Sequence, residues 1–261
     1  MDLVPPILEF DGAAEAILEP AKLVAPLDGM PVYGVITFFQ DVINSFVARG
    51  IAHEIYALRS EMGRHPIYAY TVQGQQVALF HPGVGAPLAA GMLEEAIALG
   101  CRNFVACGGA GVLNRTLAAG HLIVPTEAVR DEGTSYHYLP PDRRTATPAP
   151  GAVAAIEATL QRRKVDYRLG KTWTTDAFYR ETRPRMAKRR DEGCLTVEME
   201  AAALFAVAEF RQVPLGQILY CGDNLDGDEW DSRDWHKNWD VREILVELAA
   251  EACLAIDPSA A

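Results

Sequence analysis

The sequence predicts an α/β fold: one domain with a central sheet covered by helices on both faces. Two observations carry this. Short β-branched and aromatic runs alternate with apolar-striped segments of about 10–15 residues, the signature of strands alternating with helices. The informative small and acidic residues fall where strands end, at Gly83-Gly85, Gly108-Gly111, Glu198-Glu200 and Asp223. In folds of this class ligands gather beyond the ends of strands.

The elements follow in order. Residues 1–30 are punctuated by Pro5, Pro6, Pro20 and Pro26 and read as an irregular N-terminal extension to a domain spanning 31–256. Pro31 to Phe39 reads as the first strand. Asp41 to Arg49 places Val42, Ile43, Phe46 and Val47 at helical spacing and stops at Gly50. Ile67 to Val72 and Gln76 to His81 read as strands joined at Gln73-Gly74-Gln75. A Gly-rich turn over 81–87 leads to a helix from Ala89 to Leu99, stopped by Gly100. Asn103 to Cys107 reads as a buried strand entering a Gly108-Gly109-Ala110-Gly111 turn. His121 to Thr126 is a further strand, and the Pro-rich stretch 139–151 a surface loop. Helices are expected over Val153–Arg163, Met199–Phe210 and Asp240–Leu254. Leu195–Val197 ends a strand, and Leu215–Cys221 is another.

Bulk properties exclude several function classes. The net charge of −11 argues against nonspecific attachment to nucleic acid or anionic membranes. No apolar run approaches the roughly 20 residues of a membrane helix. The opening Met1-Asp2-Leu3-Val4-Pro5-Pro6 lacks a basic region followed by an apolar one, so the expected location is the cytoplasm. The cysteines, Cys101, Cys107, Cys194, Cys221 and Cys253, are scattered without a CxxC pair. They read as buried free thiols, and no metal site is expected.

Four segments can carry chemistry. The glycine clusters let backbone N–H groups approach a ligand oxygen, or are plain turns. Neither is a dinucleotide fingerprint, since Leu88 and Asn114 stand where GxGxxG needs its last glycine. In Thr196-Val197-Glu198-Met199-Glu200, two carboxylates flank a methionine where a buried strand meets an apolar helix. A carboxylate there needs donors, which two vicinal sugar hydroxyls can supply; the plainer alternative is a helix N-terminus favouring acids. Asp223, after a buried strand and Gly222, suits acid–base work or a cap. Phe178 and Tyr179 can stack on a planar base or fill core.

Taken together and in this order, the segments resemble the nucleoside phosphorylase family, which includes purine nucleoside phosphorylases, uridine phosphorylases and related nucleosidases. The matching text is GVGAPLAAGMLEEAIALG (83–100), FVACGGAGVL (104–113), AGHLIVPTEAVRDEGTSYHY (119–138), TTDAFYRET (174–182), LTVEMEAAALFAVA (195–208) and ILYCGD (218–223). The resemblance implies a single-domain, three-layer fold of the phosphorylase/hydrolase type, its central mixed, barrel-like sheet flanked by helices. It implies that Glu200 binds the ribose hydroxyls, with Met199 packed against the sugar and Glu198 nearby. It gives Phe178 to the base and Asp223 to the leaving base as proton or hydrogen-bond donor. Gly108 and Gly109 become the loop beneath the nucleophile, Gly109 also bordering the base. It implies a small-molecule nucleoside as partner, inorganic phosphate as co-substrate where cleavage is phosphorolytic, no other cofactor, and self-association as dimer, trimer or hexamer.

The chain departs from the phosphorolytic pattern where phosphate is held. Ala106 stands at the family's arginine position. Gly34 to Val47 contains no lysine or arginine, and Gly109 replaces a hydroxyl residue. Two expectations therefore stand. Cleavage of a purine-like nucleoside yields ribose 1-phosphate, with the missing cations replaced by Arg115, Arg130, or His53, Arg59 or Arg64 from a neighbouring subunit; alternatively, water is the nucleophile. A noncatalytic nucleoside-binding relative is a third reading, against which the retained Glu198, Glu200 and Asp223 weigh. Thr182 and Pro184 occupy the positions where uridine phosphorylases read the base, leaving Arg180 and Glu181 for some other base. Arg233 lies nearest the purine enzymes' later arginine. It falls within Asp226 to Asp240, a three-tryptophan segment read as a solvated acidic loop or as a pocket wall.

Overall fold

Apolar β-branched runs become central strands here because both faces of the sheet are covered, so no polar alternation is needed. The structure, a computed structural model, describes residues 4–227, 229–235 and 239–257. In chain order it contains α1 (Pro20–Leu23), β1 (Tyr33–Thr37), α2 (Gln40–Ala48), β2 (Ala52–Ser60), β3 (Gly63–Val72) and β4 (Gln75–Phe80). Then come α3 (Ala86–Leu99), β5 (Asn103–Val112), β6 (Leu122–Asp131), β7 (Thr145–Ala146), α4 (Pro150–Arg163) and β8 (Tyr167–Thr175). The chain finishes with α5 (Arg183–Asp191), β9 (Cys194–Glu198), α6 (Ala201–Phe210), β10 (Leu215–Asn224) and α7 (Trp239–Leu254).

The sheet is mixed and closes on itself. β10 pairs with β6, β6 with β8, β8 with β9, β9 with β5, and β5 again with β10, so five strands form a ring. From β5 the sheet continues outward through β1, β4, β3 and β2. The β3–β4 hairpin turns at Gln73 and Gly74, both with positive φ (50° and 79°), the geometry that matches strand twist in a two-residue turn.

Two apolar layers hold the sheet. One packs Leu93, Ala96 and Leu99 of α3 with all of α6 from Ala201 to Ala208. The other joins Val42, Ile43 and Phe46 of α2, Ile156 and Leu160 of α4, and Leu245, Val246 and Leu248 of α7. Every residue of α6 from Ala201 to Ala208 is buried, as expected of a helix apolar on all sides.

Several sequence expectations need correction. Gly108 to Gly111 is not a turn: β5 runs straight through it to Val112. The glycines are there because neighbours come too close for a side chain. A Cβ on Gly108 would lie 2.9 Å from the Phe38 ring, and one on Gly111 2.5 Å from Leu225. Asp223 likewise lies within β10, not beyond its end. Met199 and Glu200 precede α6 rather than opening it, with Glu200 as the N-cap. The stretch 139–151 is less superficial than expected, since it contributes β7 and the buried Leu139 and Ala146. Besides β7, sequence reading missed α1, inside the stretch read as irregular; β8; β2, whose exposed residues mask any alternation; and α5, whose sequence RPRMAKRRD buries only Met186 and Arg189. All five cysteines are free and buried.

Candidate functional site

A cavity of about 920 Å³ opens where the C-terminal halves of β5 and β10 lie side by side. The volume is ample for a nucleoside-sized ligand. The structure brings the residues nominated for sugar, base and nucleophile loop to this one place: Gly108, Gly109, Phe178, Glu198, Met199, Glu200 and Asp223 all line it.

One wall is built by the junction of β9 and α6. Glu198 Oε2 accepts the backbone N–H groups of Glu200 (2.7 Å) and Ala201 (2.6 Å), satisfying donors left over at the start of α6. Its Oε1 accepts from the Thr174 hydroxyl at 2.6 Å, and Thr174 Oγ1 in turn accepts the Ala202 N–H at 3.0 Å. Glu198 thus serves as the anchor of the α6 N-terminus, its oxygens occupied by the protein itself. That leaves little of it for a sugar, contrary to the grouping with Glu200 expected from the sequence.

Glu200 differs. Its Oε1 accepts the N–H of Gly85 at 2.6 Å, which ties the start of α3 to the start of α6. Gly85 has φ +93° and Gly83 φ +85°, a path that L side chains rarely follow. Burial, with the Glu198 charge beside it, pushes the Glu200 carboxyl well above the usual carboxylate range. Burial also raises Glu198, against the pull of the Thr174 hydroxyl and the two backbone donors. Such a buried acid awaiting donors is suited to a diol.

The opposite wall is aromatic and acidic. Phe178 and Tyr179 sit in a short 3₁₀ turn after β8, their ring centroids 4.1 Å apart, with Phe178 half exposed. Asp223 Oδ2 accepts from Trp230 Nε1 at 2.7 Å. Glu181 faces the same space, and burial, with Asp223 nearby, raises its carboxyl to about 7. Trp230 and Trp235 both line the cavity, with Gly227 and Glu229 beside them, whereas Trp239 does not. Residues 228 and 236–238 of that segment lie outside the described residues.

The floor is apolar apart from Gln217. Phe38 packs over Gly108, and a Cβ on Gly109 would lie 3.0 Å from the Tyr220 ring. Ala106 is fully buried. Among the described residues, the basic side chains lining the cavity are Arg183 and Arg242. Arg183 donates to the Gly227 carbonyl at 2.6 Å. Arg242 pairs with Asp41 at 2.6 Å and lies 5.3 Å from the Phe39 ring centre and 5.4 Å from that of Trp235. Of the replacement cations proposed from this chain's own subunit, neither Arg115 nor Arg130 lines the cavity. Arg130 is buried elsewhere, its guanidinium donating to Ser135 Oγ and the carbonyls of Leu139, Pro140 and Arg143. Arg64 pairs with Glu54, and Arg233 donates to the Leu117 carbonyl at 2.8 Å.

Sequence reading missed Phe38, Phe39, Gln217, Tyr220, Arg183 and Arg242. A signal existed for the last: Arg242 interrupts the apolar face of α7, where its side chain had to find an acid and aromatic cover. Among the described residues, no group of three or more His, Cys, Asp or Glu is placed to hold a metal. No helix among them is long and apolar enough to cross a membrane.

Comparison with known proteins identifies the family and the fold. Residues 33–256 match the phosphorylase superfamily model. A guanosine phosphorylase of Halorubrum lacusprofundi is 27% identical over 198 residues, covering 69% of this chain and 82% of that protein. Two solved structures share the fold. A uridine phosphorylase from Vibrio fischeri has TM-score 0.70 at 22% identity, covering 93% of this chain and 98% of that one. An AMP nucleosidase from Bacteroides thetaiotaomicron has TM-score 0.70 at 23% identity, covering 87% and 88%. The chain therefore belongs to the phosphorylase superfamily, as a nucleoside phosphorylase-family enzyme.

Proposed function

We propose that the enzyme cleaves the N-glycosidic bond of a purine-like nucleoside with water as nucleophile, releasing free base and free ribose. The observation that carries this is the floor. Where the family resemblance puts the incoming nucleophile, the chain presents Gly108 under Phe38 and Gly109 under Tyr220, while Ala106, at the family's arginine position, is buried and does not line the cavity. A phosphate carrying up to two charges needs charge-assisted donors, and an apolar floor offers it a desolvation cost instead. A neutral water molecule loses far less on leaving bulk solvent than such an anion.

The other residues take roles that fit the chemistry. Glu200 accepts from the 2′ and 3′ hydroxyls and holds the sugar, with Met199 beneath it and Glu198 keeping the Glu200 backbone in place. Fixing C1′ toward the nucleophile converts binding into rate. Phe178 covers the base. As the C1′–N bond breaks, positive charge spreads over the ribose ring and negative charge over the base. Asp223, oriented by Trp230, manages the proton or hydrogen bond at the base nitrogen, and Glu181 beside it is a second group able to hold a proton near neutral pH.

A nucleoside panel incubated with and without phosphate tests the reading by product mass. Free ribose formed equally in both buffers is expected. Ribose 1-phosphate formed only with phosphate would overturn the hydrolytic reading and assign the cation role elsewhere.

A further inference from the structure

Gln217 is out of keeping with its strand. β10 is otherwise apolar through its first seven residues (LGQILYC), and Gln217 is 1% exposed. Its Oε1 is buried and has no hydrogen-bond partner, although the side chain lines the cavity. In register it stands opposite Ala106 of β5, which stands opposite Ile36 of β1. Residues in register share a face, so Gln217 and Ala106 project to the same side of the sheet. The amide therefore lies beside the position where the family resemblance expects a phosphate-binding arginine.

A leucine would fill this position without leaving an acceptor unpaired, and buried polar atoms are rarely left so. An acceptor kept here implies a donor that arrives with the reaction. A carbonyl oxygen is a poor neighbour for phosphate, which is acceptor-rich and anionic, and a good one for water, which has two donors.

We infer that Gln217 is a catalytic residue that holds the attacking water, its Oε1 accepting a hydrogen bond so that a water lone pair faces C1′. This rests on the hydrolytic reading above. In the step, the water oxygen forms a bond to C1′ while the C1′–N bond breaks and its electron pair leaves with the base. The proton lost by the water is matched by the one gained at the base nitrogen, so no further reactant is required. Gln217 takes up no proton; it fixes the nucleophile.

The test uses the intact enzyme with its preferred nucleoside in water–methanol mixtures, measuring kcat, KM and the ratio of methyl riboside to free ribose. Gln217→Leu should fold at least as stably as wild type, since it removes an unpaired buried acceptor. It should lower kcat by roughly 10- to 100-fold, the scale of a misplaced reactant, with KM changed less than about threefold. The methanol-to-water product ratio should change, because the group that selects water is gone. Gln217→Met, flexible and similar in volume, should behave alike and covers a folding failure of the leucine variant. Wild-type turnover in both variants would overturn the inference alone, as would a lower kcat with an unchanged product ratio, which marks a structural role. Phosphate-dependent ribose 1-phosphate from the wild-type enzyme would instead sink the hydrolytic reading, and the inference with it.

Discussion

Thr174→Val isolates the device that sets the ribose wall. The side chains are nearly isosteric, so the change removes one hydroxyl and little else. That hydroxyl donates to Glu198 Oε1 at 2.6 Å and accepts the Ala202 N–H at 3.0 Å, and all three residues are buried. The Thr172 hydroxyl, 3.5 Å from the same carboxylate oxygen, is too distant to substitute. Two buried polar groups lose a partner at roughly 1–3 kcal/mol each, and because they share one hydroxyl the losses overlap, giving about 2–4 kcal/mol in all. With a urea m-value of about 3 kcal/mol/M, the upper end for small domains, the midpoint should fall by roughly 1 M. Equilibrium urea unfolding measured by tryptophan fluorescence reads this directly, with Thr174→Ser expected to recover most of the loss. A Thr174→Val midpoint within about 0.2 M of wild type, less than 1 kcal/mol at that slope, would refute the claim that Glu198 is held by the protein rather than waiting for a ligand.

Other consequences concern the bound sugar and base. Glu200→Gln should weaken nucleoside binding by roughly 10- to 100-fold, the worth of a charge-assisted hydrogen bond, and should do so far less for a 2′,3′-dideoxy analogue; equal losses for both in calorimetry would detach Glu200 from the diol. Asp223→Asn should lower kcat by about 10²–10⁴-fold with an unchanged melting temperature, and wild-type turnover would remove Asp223 from the chemistry. Because Glu198 and Glu200 have raised carboxyls in the fold, the folded state binds more protons than the unfolded chain above the ordinary carboxylate range. Stability of the free enzyme should therefore decline as pH rises out of that range. Nucleoside affinity should rise over the same interval, since hydroxyl donors favour ionised Glu200. Melting curves with and without nucleoside from pH 5 to 8 test the opposed trends, and parallel pH dependences would contradict them.

Much of the fold was legible because burial writes itself into composition. Central strands such as β5 and β10 are continuous apolar runs, and α6 is apolar all round. β2 and α5 were not legible, since neither owes its existence to a clean apolar face. The glycines of β5 were misread for a related reason. A sequence shows that a side chain is absent, and only the fold shows that Phe38, Tyr220 and Leu225 exclude it. The members of the ribose wall are adjacent in sequence and were visible together. What stayed hidden was the division of labour between Glu198 and Glu200, which depends on Thr174 from another strand. The floor was invisible for the same cause: Phe38 follows β1 while Gln217 and Tyr220 lie in β10, and their adjacency is a matter of register.

The five-stranded ring bears on how the chain can fold. Its closing seam joins β5 to β10, pairing Phe104 with Leu215, more than a hundred residues apart. Loop closure of that span must precede the contacts that reward it, which slows folding relative to local pairings. During synthesis β5 and β6 wait with unpaired edges until β10 emerges, a state exposed to misassembly. A fragment ending before Leu215 would lack the seam, Gln217 and Asp223 together. Folding and activity should thus appear as one late event, with no shorter active intermediate on the way.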